Sequence, residues 1–101
     1  MTYIKVCELD MLPLGSMKQF SVNDKELLAI HSDGNVYCLN ARCTHAGAPL
    51  AEGEVENEVL TCPWHGSQFR ITNGEVLRGP TKQKLTTYNC IVKDNMLFAD
   101  L

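Results

Sequence analysis

Two short stretches of the chain each carry a cysteine and a histidine almost side by side, and this repetition constrains the fold more than any other feature. The first stretch reads CTHAGAPL at residues 43–50, and the second reads CPWHGSQF at residues 62–69. Cysteine thiolates and histidine imidazoles are common ligands of soft and borderline metal ions. The fold must therefore bring two loops together if both pairs are to serve one centre.

The rest of the sequence has the pattern of an all-β protein. Short apolar runs alternate with turn signals, and no segment sustains a 3.6-residue period beyond short helical turns at residues 8–12 and 46–51. Asp33-Gly34 is typical of a two-residue hairpin turn, because both positions accept a positive φ. We predict a small antiparallel sandwich or barrel whose special residues lie on loops. The predicted strands are residues 3–8, 17–22, 27–31, 36–39, 59–62, 67–71, 76–77, 86–93 and 96–99, with further turns at 23–24, 73–74 and 94–95.

Composition and charge exclude several functional classes. The chain has 101 residues, which fits one domain, and its net charge of -3 gives no basic field for nucleic acid or an anionic membrane. The first residues lack the features of a secretory leader, and no apolar run reaches membrane-spanning length, so we expect a cytoplasmic protein. Five cysteines in a reducing compartment indicate metal ligands or catalytic groups rather than a disulfide framework.

The order of the ligand types separates this site from common zinc sites. Cys43 and His45 form C-x-H, and Cys62 and His65 form C-x-x-H, whereas zinc fingers usually group a cysteine pair and then a histidine pair. Two adjacent metal ions explain the pattern if each loop gives its cysteine to one ion and its histidine to the other. A [2Fe–2S] cluster with cysteines on one iron and histidines on the second meets this requirement. Three alternatives stay open: a mononuclear zinc site, buried thiols beside unrelated histidines, and a Cys–His nucleophile that would leave one pair without a use.

Over nearly its whole length the sequence resembles the Rieske proteins. CTHAGAPL and CPWHGSQF resemble the two cluster-binding loops of that family, and GEVLRGP at residues 74–80 resembles its proline-bearing covering loop. The resemblance implies the Rieske variant of the all-β sandwich, with a cluster-binding subdomain. It also implies a single domain over residues 1–101, with the covering loop at residues 78–81.

The resemblance assigns roles to the ligand residues and to one neighbour. It implies that Cys43 and Cys62 bind one iron, that His45 and His65 bind the other, and that Ser67 donates a hydrogen bond to a cluster sulfur. The pattern is most similar to the soluble Rieske ferredoxins. Such a protein is a monomeric electron carrier rather than an enzyme. The implied donor is a flavin-dependent ferredoxin reductase, and the implied acceptor is a terminal oxygenase such as a Rieske non-haem iron dioxygenase.

Two other functions remain as alternatives. One is a small Rieske-like subunit of a larger oxidoreductase such as nitrite reductase, where the same fold can lack a cluster. The other is a zinc-stabilised binding module. The complete set of ligand types favours the electron carrier over both.

Three positions depart from the high-potential Rieske subunits of respiratory complexes. Ala48 and Trp64 stand where those subunits have disulfide-forming cysteines, and Phe69 stands where they have a tyrosine that donates a hydrogen bond to sulfur. Fewer donors stabilise the electron-rich reduced cluster less. We therefore predict a potential toward the low end of the Rieske range of about −150 to +300 mV.

The remaining candidate residues have structural interpretations. Cys7, Cys38 and Cys90 lie within predicted strands, where cysteine usually acts as a small core residue. The acidic stretch at residues 51–59 is interpreted as a solvated loop. Three glycines are expected to permit tight backbone, and one tryptophan and two prolines to shield the cluster: Gly47, Gly66, Gly79, Trp64, Pro49 and Pro80.

Overall fold

Three antiparallel sheets make up the part of the chain that the computed structural model describes, residues 2–44, 47–64, 66–79 and 81–101. This architecture confirms the predicted all-β class. Single-turn 3-10 helices lie at Leu9–Met11 and Leu50–Glu52, and within the described ranges no helix has the length and apolar character needed to cross a bilayer. The strands are β1 (Tyr3–Glu8), β2 (Met17–Val22), β3 (Lys25–Ser32), β4 (Asn35–Asn40), β5 (Glu54–Glu56), β6 (Val59–Thr61), β7 (Gln68–Arg70), β8 (Val76–Arg78), β9 (Thr87–Tyr88), β10 (Cys90–Lys93) and β11 (Met96–Asp100).

The strands are distributed over a base sheet, a central sheet and a distal sheet. The base sheet has the order β1-β11-β10, the central sheet β2-β3-β4-β9, and the distal sheet β5-β6-β7-β8. The distal sheet is built from one contiguous segment that lies between β4 and β9 in the chain. The predicted Cys/His loops at residues 43–50 and 62–69 both belong to the excursion between those two strands.

β3 of the central sheet is buried on both faces, as its apolar run requires. Leu28 and Ile30 pack in a first core with residues of the distal sheet, whereas Leu27 and Ala29 pack in a second core with residues of the base sheet. Successive side chains of a strand point to opposite faces, so a strand with apolar neighbours on both sides has a continuous apolar sequence. β3 therefore ties the three sheets together.

Two-residue turns with both φ angles positive join four pairs of strands in the described ranges. The sequence predicts three of them, at residues 23–24, 33–34 and 94–95, and their φ angles lie between 50° and 80°. The fourth is Asn57-Glu58, with φ angles of 51° and 65°. It joins β5 to β6 within the acidic stretch, so the interpretation of residues 51–59 as a loop is wrong for β5. β5 has only Val55 as an apolar residue, so its composition does not predict a strand. It is a strand because it pairs with β6.

Two further local predictions need correction. Residues 86–93 are not one strand, because the chain changes sheets at Asn89: β9 pairs with β4 in the central sheet, and β10 pairs with β11 in the base sheet. Asn73-Gly74 is not a two-residue hairpin turn but part of the longer connection between β7 and β8. There Asn73 Oδ1 accepts a hydrogen bond from the backbone N–H of Glu75 at 2.9 Å, which is an Asx turn.

Candidate metal centre

The first cysteine–histidine stretch forms a loop closed by its own backbone. The N–H of Cys43 donates to the carbonyl of Ala48 at 2.9 Å, and the N–H of Gly47 donates to the carbonyl of Cys43 at 2.9 Å. Gly47 has a φ of 71°, a conformation that favours glycine. These bonds define the first loop as residues 43–48 and set Cys43 at its start.

The second stretch repeats this frame. The N–H of Cys62 donates to the carbonyl of Ser67 at 2.8 Å, and the N–H of Gly66 donates to the carbonyl of Cys62 at 3.3 Å. Gly66 has a φ of 77°. In both loops the cysteine amide bonds to the carbonyl five residues ahead, and the cysteine carbonyl accepts from a glycine four residues ahead. The second loop, residues 62–67, therefore gives Cys62 the same position that Cys43 has in the first loop.

Both cysteines are withdrawn from solvent at the edge of the first core. Cys43 is 4% exposed and Cys62 is 3% exposed, and both pack in the core between the central and distal sheets. His45 and His65, the other two predicted ligands, lie outside the described residues. Among the residues that are described, no three histidine, cysteine or carboxylate side chains come together as a metal site. The described part of the chain therefore provides two of the four predicted ligands.

A third segment, residues 81–83, is tied to both loops by side-chain hydroxyls. The N–H of Thr81 donates to Ser67 Oγ in the second loop at 3.2 Å. The Thr44 hydroxyl in the first loop donates to the carbonyl of Gln83 at 2.6 Å and lies 2.7 Å from Thr81 Oγ1. Because Thr44 donates its hydroxyl proton to the carbonyl of Gln83, Thr81 Oγ1 is the donor and Thr44 Oγ1 the acceptor in the hydrogen bond between the two threonines. Sequence reasoning missed Thr44 and Thr81, because isolated threonines carry no signal until the fold brings them together.

Ser67, a predicted site residue, is completely buried at the end of the second loop. Its oxygen accepts the hydrogen bond from Thr81, which leaves the hydroxyl proton for donation to another acceptor. The covering segment predicted at residues 78–81 thus meets Ser67 at Thr81, whereas Pro80 lies outside the described residues.

An exposed ion pair, also missed in the sequence, holds the outer side of the first loop. Arg42 Nε donates to Glu26 Oε2 at 2.7 Å, and Arg42 Nη1 donates to the carbonyl of Gly47 at 3.3 Å. The hydrogen bond and charge of Arg42 lower the pKa of Glu26, and the carboxylate in turn raises the pKa of Arg42. The first loop is therefore connected to β3 through a charged side chain as well as through the core.

The three positions that depart from the high-potential subunits have two different environments. Ala48 and Phe69 are completely buried in the first core, whereas Trp64 is 56% exposed. All five cysteines lie in the described ranges, and none of them forms a disulfide. The shielding role predicted for Trp64 stays a prediction, and its exposure shows that the second loop reaches the surface beside residue 65.

Glycine is needed at some, but not all, of the predicted positions. Gly79 has no positive φ, and a Cβ there would approach no described atom beyond its chain neighbours closer than 3.7 Å, so the prediction of tight backbone at this residue is wrong. Two glycines that the sequence did not single out are more constrained. A Cβ at Gly53 would overlap the carbonyl oxygen of Thr61, and one at Gly74 would overlap that of Leu85.

Comparison with known proteins explains the repeated loop frame. The Rieske [2Fe-2S] domain matches residues 2–89 of this sequence. The chain belongs to the Rieske [2Fe-2S] family. Among its Rieske relatives is the ferredoxin subunit of 3-phenylpropionate/cinnamic acid dioxygenase from Photorhabdus laumondii, which is 30% identical over 97% of this chain and 93% of the relative.

Solved Rieske structures have the same fold. The ferredoxin of carbazole 1,9a-dioxygenase from Nocardioides aromaticivorans is 26% identical and superposes with a TM-score of 0.90, covering 98% of this chain and 97% of that one. A chain in a complex of reduced oxygenase and oxidized ferredoxin of carbazole 1,9a-dioxygenase gives a TM-score of 0.87 at 26% identity, over 96% of this chain and 91% of that one. A putative nitrite reductase small subunit gives 0.84 at 20% identity over the full length of both chains, a likeness that shows the fold alone.

The described geometry fits the [2Fe–2S] cluster that defines this family. Two thiols stand at equivalent positions of two equivalent loops, shielded from water and not consumed in a disulfide. Thiolates in such a protected position are suitable iron ligands. Backbone amides of loops with a left-handed glycine, and the Ser67 hydroxyl beside them, are the kind of donors that tune such clusters.

Proposed function

We propose that this protein is the ferredoxin component of an oxygenase system, and that it carries single electrons from a flavin-dependent ferredoxin reductase to a terminal oxygenase. The observation that carries the proposal is the pair of equivalent loops that bury Cys43 and Cys62. The end-to-end similarity to dioxygenase ferredoxins supports the same role. A ring-hydroxylating Rieske non-haem iron dioxygenase is the acceptor class that these relatives favour.

The proposed ligand set divides the two loops between two irons. Cys43 and Cys62 hold one iron, and His45 and His65 hold the other. When bound, a [2Fe–2S] cluster supplies a site that takes up and releases one electron. The role of the chain is to keep the thiolates away from water, to hold both loops in one arrangement through Thr44 and Thr81, and to direct the Ser67 hydroxyl at a cluster sulfur.

The electron exit is proposed at the tip of the second loop. His65 follows Trp64, whose side chain is 56% exposed, so the chain reaches the surface immediately before this ligand. A ligand at a surface shortens the path to a partner, and an exposed aromatic residue beside it offers apolar contact area for docking. We also propose that residues 1–101 act as a single monomeric cytoplasmic domain, with binding loops at 43–50 and 62–69 and a covering loop at 78–81. β3 supports this unit, because it contributes to both cores.

The function is tested by following one electron through purified components. The protein is reduced anaerobically with NADH and a catalytic amount of a flavin-dependent ferredoxin reductase, and is then mixed with an oxidised ring-hydroxylating oxygenase. We expect a red-brown protein with iron and acid-labile sulfide in equal amounts, a reduced-state EPR signal, and transfer of one electron per chain. A colourless protein with stoichiometric zinc would instead support a zinc-stabilised module. A cluster-bearing protein that exchanges no electron with any reductase or oxygenase would contradict the carrier role.

The ligand set is tested separately with histidine variants. His45→Cys and His65→Cys each place a thiolate on the second iron, so each is expected to lower the potential and to change the EPR spectrum of the reduced protein. His31 is the matched control, because its Nδ1 bonds to the carbonyl of Leu12 at 2.8 Å and takes no part in either loop. His31→Gln should leave the spectrum unchanged. An unchanged spectrum in His45→Cys would show that His45 is not a ligand.

A further inference from the structure

Three cysteines outside the two loops gather at the second core. Cys7 in β1 and Cys38 in β4 are 5% and 2% exposed, and Cys90 in β10 is half-buried against the same core. Cys38 and Cys90 pack in the same core and line one surface cavity, and each side chain shifts the pKa of the other. The Cys90 thiol also donates to the carbonyl of Val36 at 3.1 Å. The proposed electron transfer uses none of these thiols.

The sheet register explains why Cys38 and Cys90 meet. Cys38 pairs with Tyr88 across the central sheet, and the chain then passes to the base sheet at Asn89. Tyr88 and Cys90 both pack against the second core, as residues two apart on an extended chain do when their side chains share a face. The sheet change therefore places Cys90 over the strand that carries Cys38.

Surface cavities make Cys90 accessible to a small molecule. Cys38 and Cys90 lie together in the wall of a surface cavity of about 210 Å³, with Val36, Tyr88 and Asn89. Cys90 also lines a second cavity of about 330 Å³ beside His31 and Ile91. A reagent of two or three heavy atoms therefore has a route to Cys90 that does not require the core to open.

The two thiols differ in chemical character. The hydrogen bond from Cys38 lowers the pKa of Cys90, and the same bond together with burial raises the pKa of Cys38. The thiolate is the reactive form of cysteine. The accessible Cys90, with its lowered pKa, is therefore suited to react first with an oxidant, and the buried Cys38 stays a thiol until it reacts with the oxidised Cys90.

We propose that Cys38 and Cys90 form a dithiol that a hydroperoxide oxidises to a disulfide. In the first step Cys90 Sγ attacks one peroxide oxygen, so that an S–O bond forms, the O–O bond breaks, and the leaving oxygen departs as water with the thiol proton. In the second step Cys38 Sγ attacks the sulfenic sulfur, so that an S–S bond forms, the S–O bond breaks, and a second water leaves. Two thiols are oxidised by two electrons in total, and one hydrogen peroxide is reduced to two waters.

The disulfide would join the central sheet to the base sheet at the point where the chain crosses between them. β9 and β10 are separated only by Asn89, so Cys90 begins the base-sheet strand directly after the strand that pairs with β4. The site is independent of the proposed electron transfer, because Cys43 and Cys62 lie in the first core and Cys38 lies in the second.

The test uses the holoprotein and hydrogen peroxide at equimolar concentration. After brief exposure, remaining thiols are alkylated under native conditions, and peptides are mapped by mass spectrometry without reduction. We expect a peptide pair linked through Cys38 and Cys90, loss of both thiols to alkylation after unfolding, and recovery of both with dithiothreitol. The visible spectrum serves as the control that the cluster is intact.

Variants separate the two steps. Cys90→Ser is expected to give no linked peptide and to leave Cys38 reduced, whereas Cys7→Ser should still form the Cys38–Cys90 bond. Cys38→Ala should stop at a sulfenic acid on Cys90, which dimedone traps, and this measurement holds even if Cys90→Ser does not fold. The proposal is overturned if peroxide leaves both thiols reduced, if Cys38 pairs with Cys7 instead, or if wild-type Cys90 passes directly to a sulfinic acid.

Discussion

The hydroxyl oxygens of Thr44 and Thr81 lie 2.7 Å apart and join the first cysteine loop to the segment that follows residue 80. Thr81 also bonds through its N–H to Ser67 in the second loop. One residue of the third segment, Thr81, therefore contacts both cysteine loops. The relative position of Cys43 and Cys62 depends on this threonine pair as well as on the apolar core beneath them.

Removal of the Thr44 hydroxyl should loosen the first loop. Thr44→Val keeps the shape of the side chain but leaves Gln83 without its donor and Thr81 without its acceptor, at a cost of about 1–2 kcal/mol. Such a loss corresponds to roughly a 5–30-fold change in an equilibrium or rate. We expect the visible absorption of the holoprotein to be lost faster in urea by up to that factor. Thr44→Ser keeps the hydroxyl and should behave like the wild type, and equal rates for all three proteins would contradict the role assigned to the bond.

Gly47→Ala and Gly79→Ala form a matched pair in two segments near the centre. Gly47 has a φ of 71°, so an alanine there costs about 1–2 kcal/mol, whereas Gly79 has no positive φ and a Cβ there would meet the Thr81 backbone no closer than 3.7 Å. We expect Gly47→Ala to reduce the iron bound per chain and to hasten cluster loss, and Gly79→Ala to do neither. The measurement is iron and labile sulfide per chain after identical purification. Similar values for both variants would show that the left-handed conformation is not what the first loop requires.

Ser67→Ala should lower the reduction potential. A hydroxyl donor to cluster sulfur stabilises the reduced state, so its loss favours the oxidised state and shifts the midpoint downward. The same change removes the acceptor for the Thr81 N–H, so thermal stability should fall as well. Spectroelectrochemical titration measures the midpoint, with Ser21→Ala on exposed β2 as the control. A lower stability with an unchanged midpoint would leave Ser67 a structural residue only.

The unmodified protein should have a potential near the low end of the Rieske range. Phe69 is buried and carries no hydroxyl, so it offers the centre no donor of the kind that the high-potential subunits use. Within the range of about −150 to +300 mV we expect a midpoint below zero. A redox titration monitored by visible absorption measures this midpoint potential, and a value well above zero would contradict the prediction.

The Glu26–Arg42 pair should make a small contribution that disappears in acid. Because its folded-state pKa is lowered, Glu26 stabilises the fold above its unfolded-state pKa, and this contribution is lost as the pH falls through the folded-state value. The stability difference between wild type and Glu26→Gln should therefore be largest near pH 7, and should shrink on acidification and in about 1 M salt. Glu54→Gln in β5 is the control, since no ion pair joins this glutamate to another described residue. A difference that does not respond to salt would exclude an electrostatic origin.

Much of the fold was predictable because its signals are local. Asp33-Gly34 and Asn23-Asp24 favour positive φ angles, and the strands on either side have short apolar runs, so the hairpins follow from neighbouring residues. Cys43 and Cys62 were recognisable for a similar reason, since each stands beside a histidine within a few residues. In the structure both cysteines are buried at equivalent positions of two equivalent loops, and their role as iron ligands stays a prediction.

What the sequence did not reveal depends on distant partners. β5 contains two glutamates and one valine, and it is a strand only because β6 pairs with it. The sequence of residues 86–93 does not indicate that the chain changes sheets at Asn89, because β9 and β10 both have sequences typical of strands. Thr44 and Thr81 are 37 residues apart, and only the folded chain brings their hydroxyls together.

The distal sheet leaves the central sheet from β4 and returns to it in β9, and these two strands are hydrogen-bonded neighbours through the Cys38–Tyr88 and Leu39–Thr87 pairs. The segment that forms the distal sheet therefore begins and ends at two neighbouring strands. Because β4 and β9 pair directly with each other, a change in the length of the distal segment need not alter the register of the central sheet.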